Sequence, residues 1–229
     1  MEFIPKDQGD NPVFAGEIRA IAPEYELERG LTVVLEAINK KISEGVKPVV
    51  VGIAGGSASG KSLIASRIRD MLEPGKCTII SMDDYCRGSD FITEEREQGN
   101  AVVWDQPEAI DLSSLSSDLD KLKQGELIQK PIYSMRLAKT VGREDLSPSE
   151  VIIVEGLFAL QAQIVSRSDI KIFIKSDSEN RLNRRIKRDV ERTGDKPEEI
   201  AEYCKTVVEP MYVKNVLPSI SSADFVLNN

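Results

Sequence analysis

A short apolar run, PVVVGIA (residues 48–54), leads directly into GGSASGKS (55–62) and then into the segment SLIASRIRDML (62–72). Unbroken apolar runs of this length are the pattern of a strand covered on both faces. In the third segment Leu63, Ile64, Ile68, Met71 and Leu72 recur at helical spacing, and Pro74-Gly75 stops them. A buried strand that enters a helix through eight mostly small residues commits this part of the chain to a β-turn-α unit. The turn has the spacing G-x-x-x-x-G-K-[ST]. Small residues let consecutive backbone N–H groups turn inward around phosphate oxygens, and the next helix offers its positive end. Lys61 adds a mobile cation for the outer phosphates, and the Ser62 hydroxyl is a natural Mg²⁺ ligand.

The rest of the chain repeats the alternation. CTIISM (77–82), VIIVEG (151–156), IKIFI (170–174) and ADFVL (223–227) read as four more strands. Helical spacing is expected over 31–43 (Leu31, Val34, Leu35, Ile38 and Ile42 on one face), 112–123, 179–192 and 197–208. The fold class is therefore α/β: a P-loop NTPase fold with a mainly parallel five-stranded sheet, helices on both faces and an Arg-rich lid helix. Residues 1–46 divide into a loosely held, Pro-, Gly- and Asp-rich arm (1–16) and a helix packing on the core. Residues 47–229 form the nucleotide-binding domain. The stretch 84–110 is the longest without periodicity and is where a functional insertion is expected.

Composition excludes several classes. With 41% hydrophobic residues in 229, the chain can bury a real core. A net charge of -8 argues against a protein that coats nucleic acid or anionic membranes. No apolar run is long enough for a membrane span, and the N-terminus has no signal-peptide pattern. Three scattered cysteines, Cys77, Cys86 and Cys204, fit neither a zinc site nor a disulfide framework, so a cytoplasmic location is expected. There is no histidine, so any general base is Asp, Glu, Lys or Tyr, and Ser-His-Asp chemistry is excluded.

Other charged residues fall where such a sheet binds ligands, beyond the carboxyl ends of its strands. IISMDDY ends a strand in Asp83 and Asp84, either of which can accept the proton of an attacking hydroxyl, with Tyr85 beside them. Glu155 ends another strand, where an acid commonly holds Mg²⁺ directly or through water. In RLNRRIKRDVER, Arg181, Arg184, Arg185, Arg188 and Arg192 fall within an arc of roughly 100°, apart from Leu182, Ile186 and Val190. Their repulsion would cost an isolated helix on the order of 1–2.5 kcal/mol. An arginine stripe on an acidic protein suits a lid that closes over a triphosphate.

Taken in order, the P-loop, SMDDY, WDQPEAID, PIYSM, VIIVEGLFAL, RLNRRIKRD and ADFVLN resemble the uridine kinase and phosphoribulokinase family from about Pro48 onward, closest to its uridine-cytidine kinase branch. The resemblance implies an ATP- and Mg²⁺-dependent kinase of a pyrimidine nucleoside's 5′-hydroxyl. It makes Asp83 the catalytic aspartate and Asp105 the residue holding the ribose hydroxyls. Tyr133 lines the nucleoside pocket, Glu155 lies near magnesium, and Arg185 and Arg188 face substrate and ATP. The base-contacting elements differ: YSMRLAKT has Ala138 where relatives carry a histidine, and ERTGD stands in place of ERGR. Kinase-like domains of this kind also occur fused to a triphosphate-tunnel domain.

The catalytic candidates are thus Lys61, Asp83, Arg185 and Arg188. The nucleotide, ATP or another NTP, is expected on Gly55, Gly56, Ser57, Ala58, Ser59, Gly60, Lys61, Ser62, Leu63 and Arg184. Asp83, Tyr85, Asp105, Tyr133 and Arg185 would hold a small-molecule acceptor, and Ser62 with Glu155 the Mg²⁺. A kinase of a sugar, sugar phosphate or other small alcohol is the alternative within this class. Outside it stand a nucleotide-sensing module and an ATPase. A homo-oligomer and a fused or partner domain stay open.

Overall fold

The computed structural model describes residues 22–229, so the arm expected over 1–16 lies outside the described residues. The elements run β1 (Glu24–Glu26), α1 (Leu27–Ser43), β2 (Val49–Gly55), α2 (Lys61–Met71), β3 (Cys77–Ser81), α3 (Ser89–Glu97) and α4 (Leu112–Lys123). Then come β4 (Ile128–Ser134), β5 (Lys139–Leu146), β6 (Val151–Glu155), α5 (Ala162–Val165), β7 (Ile170–Lys175) and α6 (Ser178–Thr193). The chain finishes with α7 (Pro197–Tyr203), α8 (Glu209–Met211) and β8 (Phe225–Asn228).

The main sheet has the order β1-β8-β7-β2-β6-β3, and every pairing in it is parallel. The five expected strands are present, and a sixth, β1, extends the sheet by pairing with Val226–Asn228. Three largely exposed residues, Glu-Tyr-Glu, offer no apolar run from which to foresee it. Every residue of β2 and β6 is buried, which explains their unbroken apolar sequences. One face of the sheet is covered by Leu31, Val34 and Ile38 of α1 and Ile64, Ala65 and Ile68 of α2. The other is covered by Leu115, Leu119 and Leu122 of α4 with Phe158 and Ile164. Each fully buried aliphatic or aromatic side chain contributes roughly 1.5–3 kcal/mol.

Several details depart from the sequence reading. Helix α1 starts four residues earlier than expected, and Leu35 and Ile42 are only half-buried. In α2, Leu63 is 59% exposed and Met71 43%, so the buried stripe narrows to Ile64, Ala65 and Ile68. The aperiodic stretch 84–110 contains α3, which packs a small cluster of Ile92, Val102 and Ala109 with Phe91 and Trp104. Strands β4 and β5 form a separate antiparallel hairpin whose tip carries Ala138 at φ 48°. The helix expected to run evenly over 197–208 changes pitch after Tyr203. Wide π-type turns at 204–208 and 212–216 flank the short α8. Among the described residues no helix is long and apolar enough to cross a membrane.

Candidate functional site

A cavity of about 720 Å³ lies beyond the carboxyl ends of β2, β3 and β6, closed over by α6 and the hairpin tip. Its walls decide which of the expected residues can act together.

On one side is the glycine loop. Ser57, Ala58, Gly60, Lys61, Ser62 and Leu63 line the cavity. Gly55, Gly56 and Ser59 do not line it; they shape the loop from behind. Ser59 is fully buried, and its hydroxyl has no partner among the described residues. Gly60 has φ 97°, a conformation side chains rarely adopt, and a Cβ there would collide with the Asn229 side chain. That side-chain amide donates to the Ser59 carbonyl at 2.7 Å, holding the loop from the far end of the chain. Asn229 was not foreseen, because nothing in its local sequence links it to a loop 170 residues away.

Lys61 is buried, and its Nζ donates to the Gly56 carbonyl at 2.8 Å. Burial lowers its pKa, while the charges of Glu155 and Asp83 work the other way. Glu155, also buried, accepts from Ser62 Oγ at 3.0 Å. Burial pushes its carboxyl up; Lys61 opposes that and Asp83 adds to it. Among the described residues no group of three or more His, Cys, Asp and Glu makes a ready-built metal cage. One hydroxyl and one carboxylate side by side suit Mg²⁺, which keeps several waters and takes phosphate oxygens as its other ligands.

The pair at the end of β3 separates in function. Met82–Tyr85 is a tight 3₁₀ turn, which points neighbouring side chains in different directions. Asp83 is exposed into the cavity. Asp84 is turned to the hairpin, where its Oδ2 pairs with Lys130 at 2.7 Å; Lys130 also reaches Glu144 at 2.6 Å. Burial works against the Lys130 charge, but the two carboxylates outweigh it and raise its pKa. Tyr85, expected to touch the acceptor, instead lies in the core, and its hydroxyl donates to Asp118 at 2.9 Å. Sequence spacing does not resolve this turn; an even strand end would have sent Asp83 and Tyr85 the same way. Behind the turn, Gly156 packs so closely that a Cβ would run into Cβ of Met82.

The opposite wall comes from α6 and its surroundings. Asp177 caps the helix by accepting from Asn180 N at 2.8 Å, and Gly194 ends it in the left-handed region. Arg184, Arg185, Arg188 and Arg192 line the cavity, whereas Arg181 does not. Arg185 reaches the buried Asp105 at 3.3 Å and Asp189 at 3.1 Å, and Arg188 pairs with Asp189 at 2.7 Å. Burial disfavours the Arg185 charge, but Asp105 and Asp189 more than compensate, so its pKa rises. Tyr133 and Ala138 also line the cavity. Burial, with help from Cys86 and Asp83, pushes the Tyr133 hydroxyl up.

Trp104, Asp195, Glu199 and Tyr203 line the cavity as well and were not foreseen. Trp104 adjoins Asp105 in WDQP and could have been suspected; the others depend on how α7 returns. Burial and Asp105 push the Tyr203 hydroxyl up to about 12. The arrangement thus brings together a glycine-rich loop, a buried lysine ammonium, a hydroxyl–carboxylate pair, a carboxylate without an ion pair among the described residues, and a set of guanidinium groups.

A family profile described as the phosphoribulokinase/uridine kinase family matches residues 50–229. A uridine kinase of Macrococcus caseolyticus is 36% identical over 187 residues, covering 79% of this chain and 88% of that protein. The inorganic pyrophosphatase TTM2 of Arabidopsis thaliana is 29% identical over 215 residues, covering 93% of this chain and 30% of that protein. Among solved structures, the phosphoribulokinase of Rhodobacter spheroides matches with a TM-score of 0.61 at 18% identity, over 80% of this chain and 70% of that one.

Proposed function

The chain belongs to the phosphoribulokinase/uridine kinase family, and from that premise we propose that it moves the γ-phosphoryl group of ATP to the 5′-hydroxyl of a pyrimidine nucleoside. In this reading Ser57, Ala58 and Gly60 offer backbone amides to the phosphates, while Lys61 leaves the Gly56 carbonyl to meet them. Ser62 and Glu155 would hold Mg²⁺, which would supply neutralisation of the phosphate charge. Asp83 accepts the proton of the acceptor hydroxyl as its oxygen bonds to the γ-phosphorus. The bond from that phosphorus to the β–γ bridging oxygen breaks, ADP departs, and the proton passes on to water. Asp105, oriented by Arg185, holds the acceptor's vicinal hydroxyls, and Tyr133 bounds its ring. Arg184 and Arg188 attend the phosphates.

The observation that carries this reading is that Asp83 faces the same cavity as Lys61 and Ser62 and, among the described residues, has no ion pair of the kind that occupies Asp84. Pure nucleotide binding needs no such carboxylate, which favours a kinase over a sensing module. Ala138 lines the cavity near where relatives are expected to offer a histidine, and ERTGD, whose Asp195 also lines it, replaces their ERGR, so base recognition here uses other groups. The test is a coupled ADP-release screen over nucleosides, pentose phosphates and small alcohols with Mg²⁺ present. Stimulation by uridine or cytidine supports the reading. Stimulation by sugar phosphates alone replaces the acceptor, and ADP release that needs no acceptor overturns the kinase assignment.

A further inference from the structure

Arg181 departs from the other arginines of α6. It is 7% exposed and turned away from the cavity. Its Nη2 donates to both carboxylate oxygens of Glu209 at 2.7 Å, and its Nη1 to the Ser176 carbonyl. Its guanidinium carbon lies 4.2 Å from the centroid of the Tyr212 ring. Glu209 and Tyr212 come from α8 and the π-type turn that follows it. Widened turns of this kind recur where a helix serves a function.

The other side of this stack rests on the glycine loop. A Cβ on Gly56 would meet Arg181 Cδ at 2.8 Å and Nε at 2.9 Å, and the Tyr212 ring at 3.2 Å. Gly56 is not in the left-handed region, so packing against Arg181 is what demands a glycine there. The Gly56 carbonyl is also the acceptor for Lys61 Nζ. A continuous line of contact therefore runs from Glu209 through Arg181 and Gly56 to Lys61.

We propose that Arg181 is a positioning residue. With Glu209 and Tyr212 it pins the Gly56 end of the loop to the base of α6, and so sets how tightly the loop holds a nucleotide it never touches. The inference rests on the nucleotide-binding reading of the loop. Only a planar guanidinium can grip a carboxylate with one face of its fork while stacking on a ring; a lysine ammonium cannot do both.

The test compares wild type with Arg181→Lys and Glu209→Gln. ADP affinity is measured by calorimetry, KM for ATP and kcat with the best acceptor from the screen, and thermal stability alongside. The expected result is an ADP Kd raised about tenfold by Arg181→Lys and less by Glu209→Gln, with kcat changed less than about threefold and the loss concentrated in KM for ATP. The double variant should be little worse than Arg181→Lys alone. An ADP Kd within about twofold of wild type in a folded Arg181→Lys overturns the inference. So does a loss shared equally by ATP and acceptor parameters, which is the mark of general destabilisation. If Arg181→Lys does not fold, Glu209→Gln decides by the same criteria. Wild-type protein that binds no ADP overturns the functional reading, and this inference with it.

Discussion

The two ends of the cavity are built on different principles. At the loop end the surface turned to the cavity is glycine-rich main chain, shaped by a left-handed Gly60 and held from behind by the Asn229 amide and by Arg181 against Gly56. At the acceptor end, geometry is set by charged side chains bridging separate elements: Asp84 to Lys130, and Arg185 to both Asp105 and Asp189. Polyphosphate presents the same oxygens whatever the nucleoside, so a fixed backbone suits it. An acceptor differs between relatives, and side-chain pairs can be exchanged without rebuilding the sheet.

Substitutions can break that contrast or sharpen it. The largest effect is expected from Asp83→Asn, which should lower kcat about 10²–10⁴-fold while ADP affinity measured by calorimetry stays near wild type. A matching fall in ADP affinity would mean the two ends are not separable. Asp105→Asn removes a charged hydrogen-bonding partner of Arg185 and should raise the acceptor KM about tenfold or more, leaving KM for ATP nearly unchanged in steady-state assays. Gly60→Ala tests the other end: a side chain forced into left-handed backbone costs about 1–2 kcal/mol, so chemical denaturation should show that loss together with weaker ADP binding. The acceptor KM should move least. Smallest is Ala138→Gly, which relieves a strained φ of 48° at the hairpin tip and should stabilise the protein by at most about 1 kcal/mol in thermal unfolding.

The same contrast explains what could be read beforehand. Strands β2, β3, β6, β7 and β8 announce themselves because parallel strands covered on both sides need unbroken apolar runs. The hairpin does not: β5 is almost wholly exposed, and the buried positions of β4 are Ile128 and Lys130, a lysine that no apolar pattern marks. The loop motif is legible because adjacent residues make it. Tyr85 and Arg181 are misread for the opposite reason. Helical spacing groups Arg181 with the other arginines and Tyr85 adjoins the strand-end carboxylates, but their partners, Glu209 and Asp118, lie 28 and 33 residues away. Asp83 and Asp84 could be narrowed to a pair by sequence, and Lys130 on the hairpin separates them.

Glu155 and Asp83 follow one another across the ends of the neighbouring strands β6 and β3, where the main chain of Gly156 lies against the Met82 side chain with no room for a methyl group. The separation of the two carboxylates is thereby set at the seam between two strands. An alanine at 156 would force Met82, and with it the turn that carries Asp83, to shift.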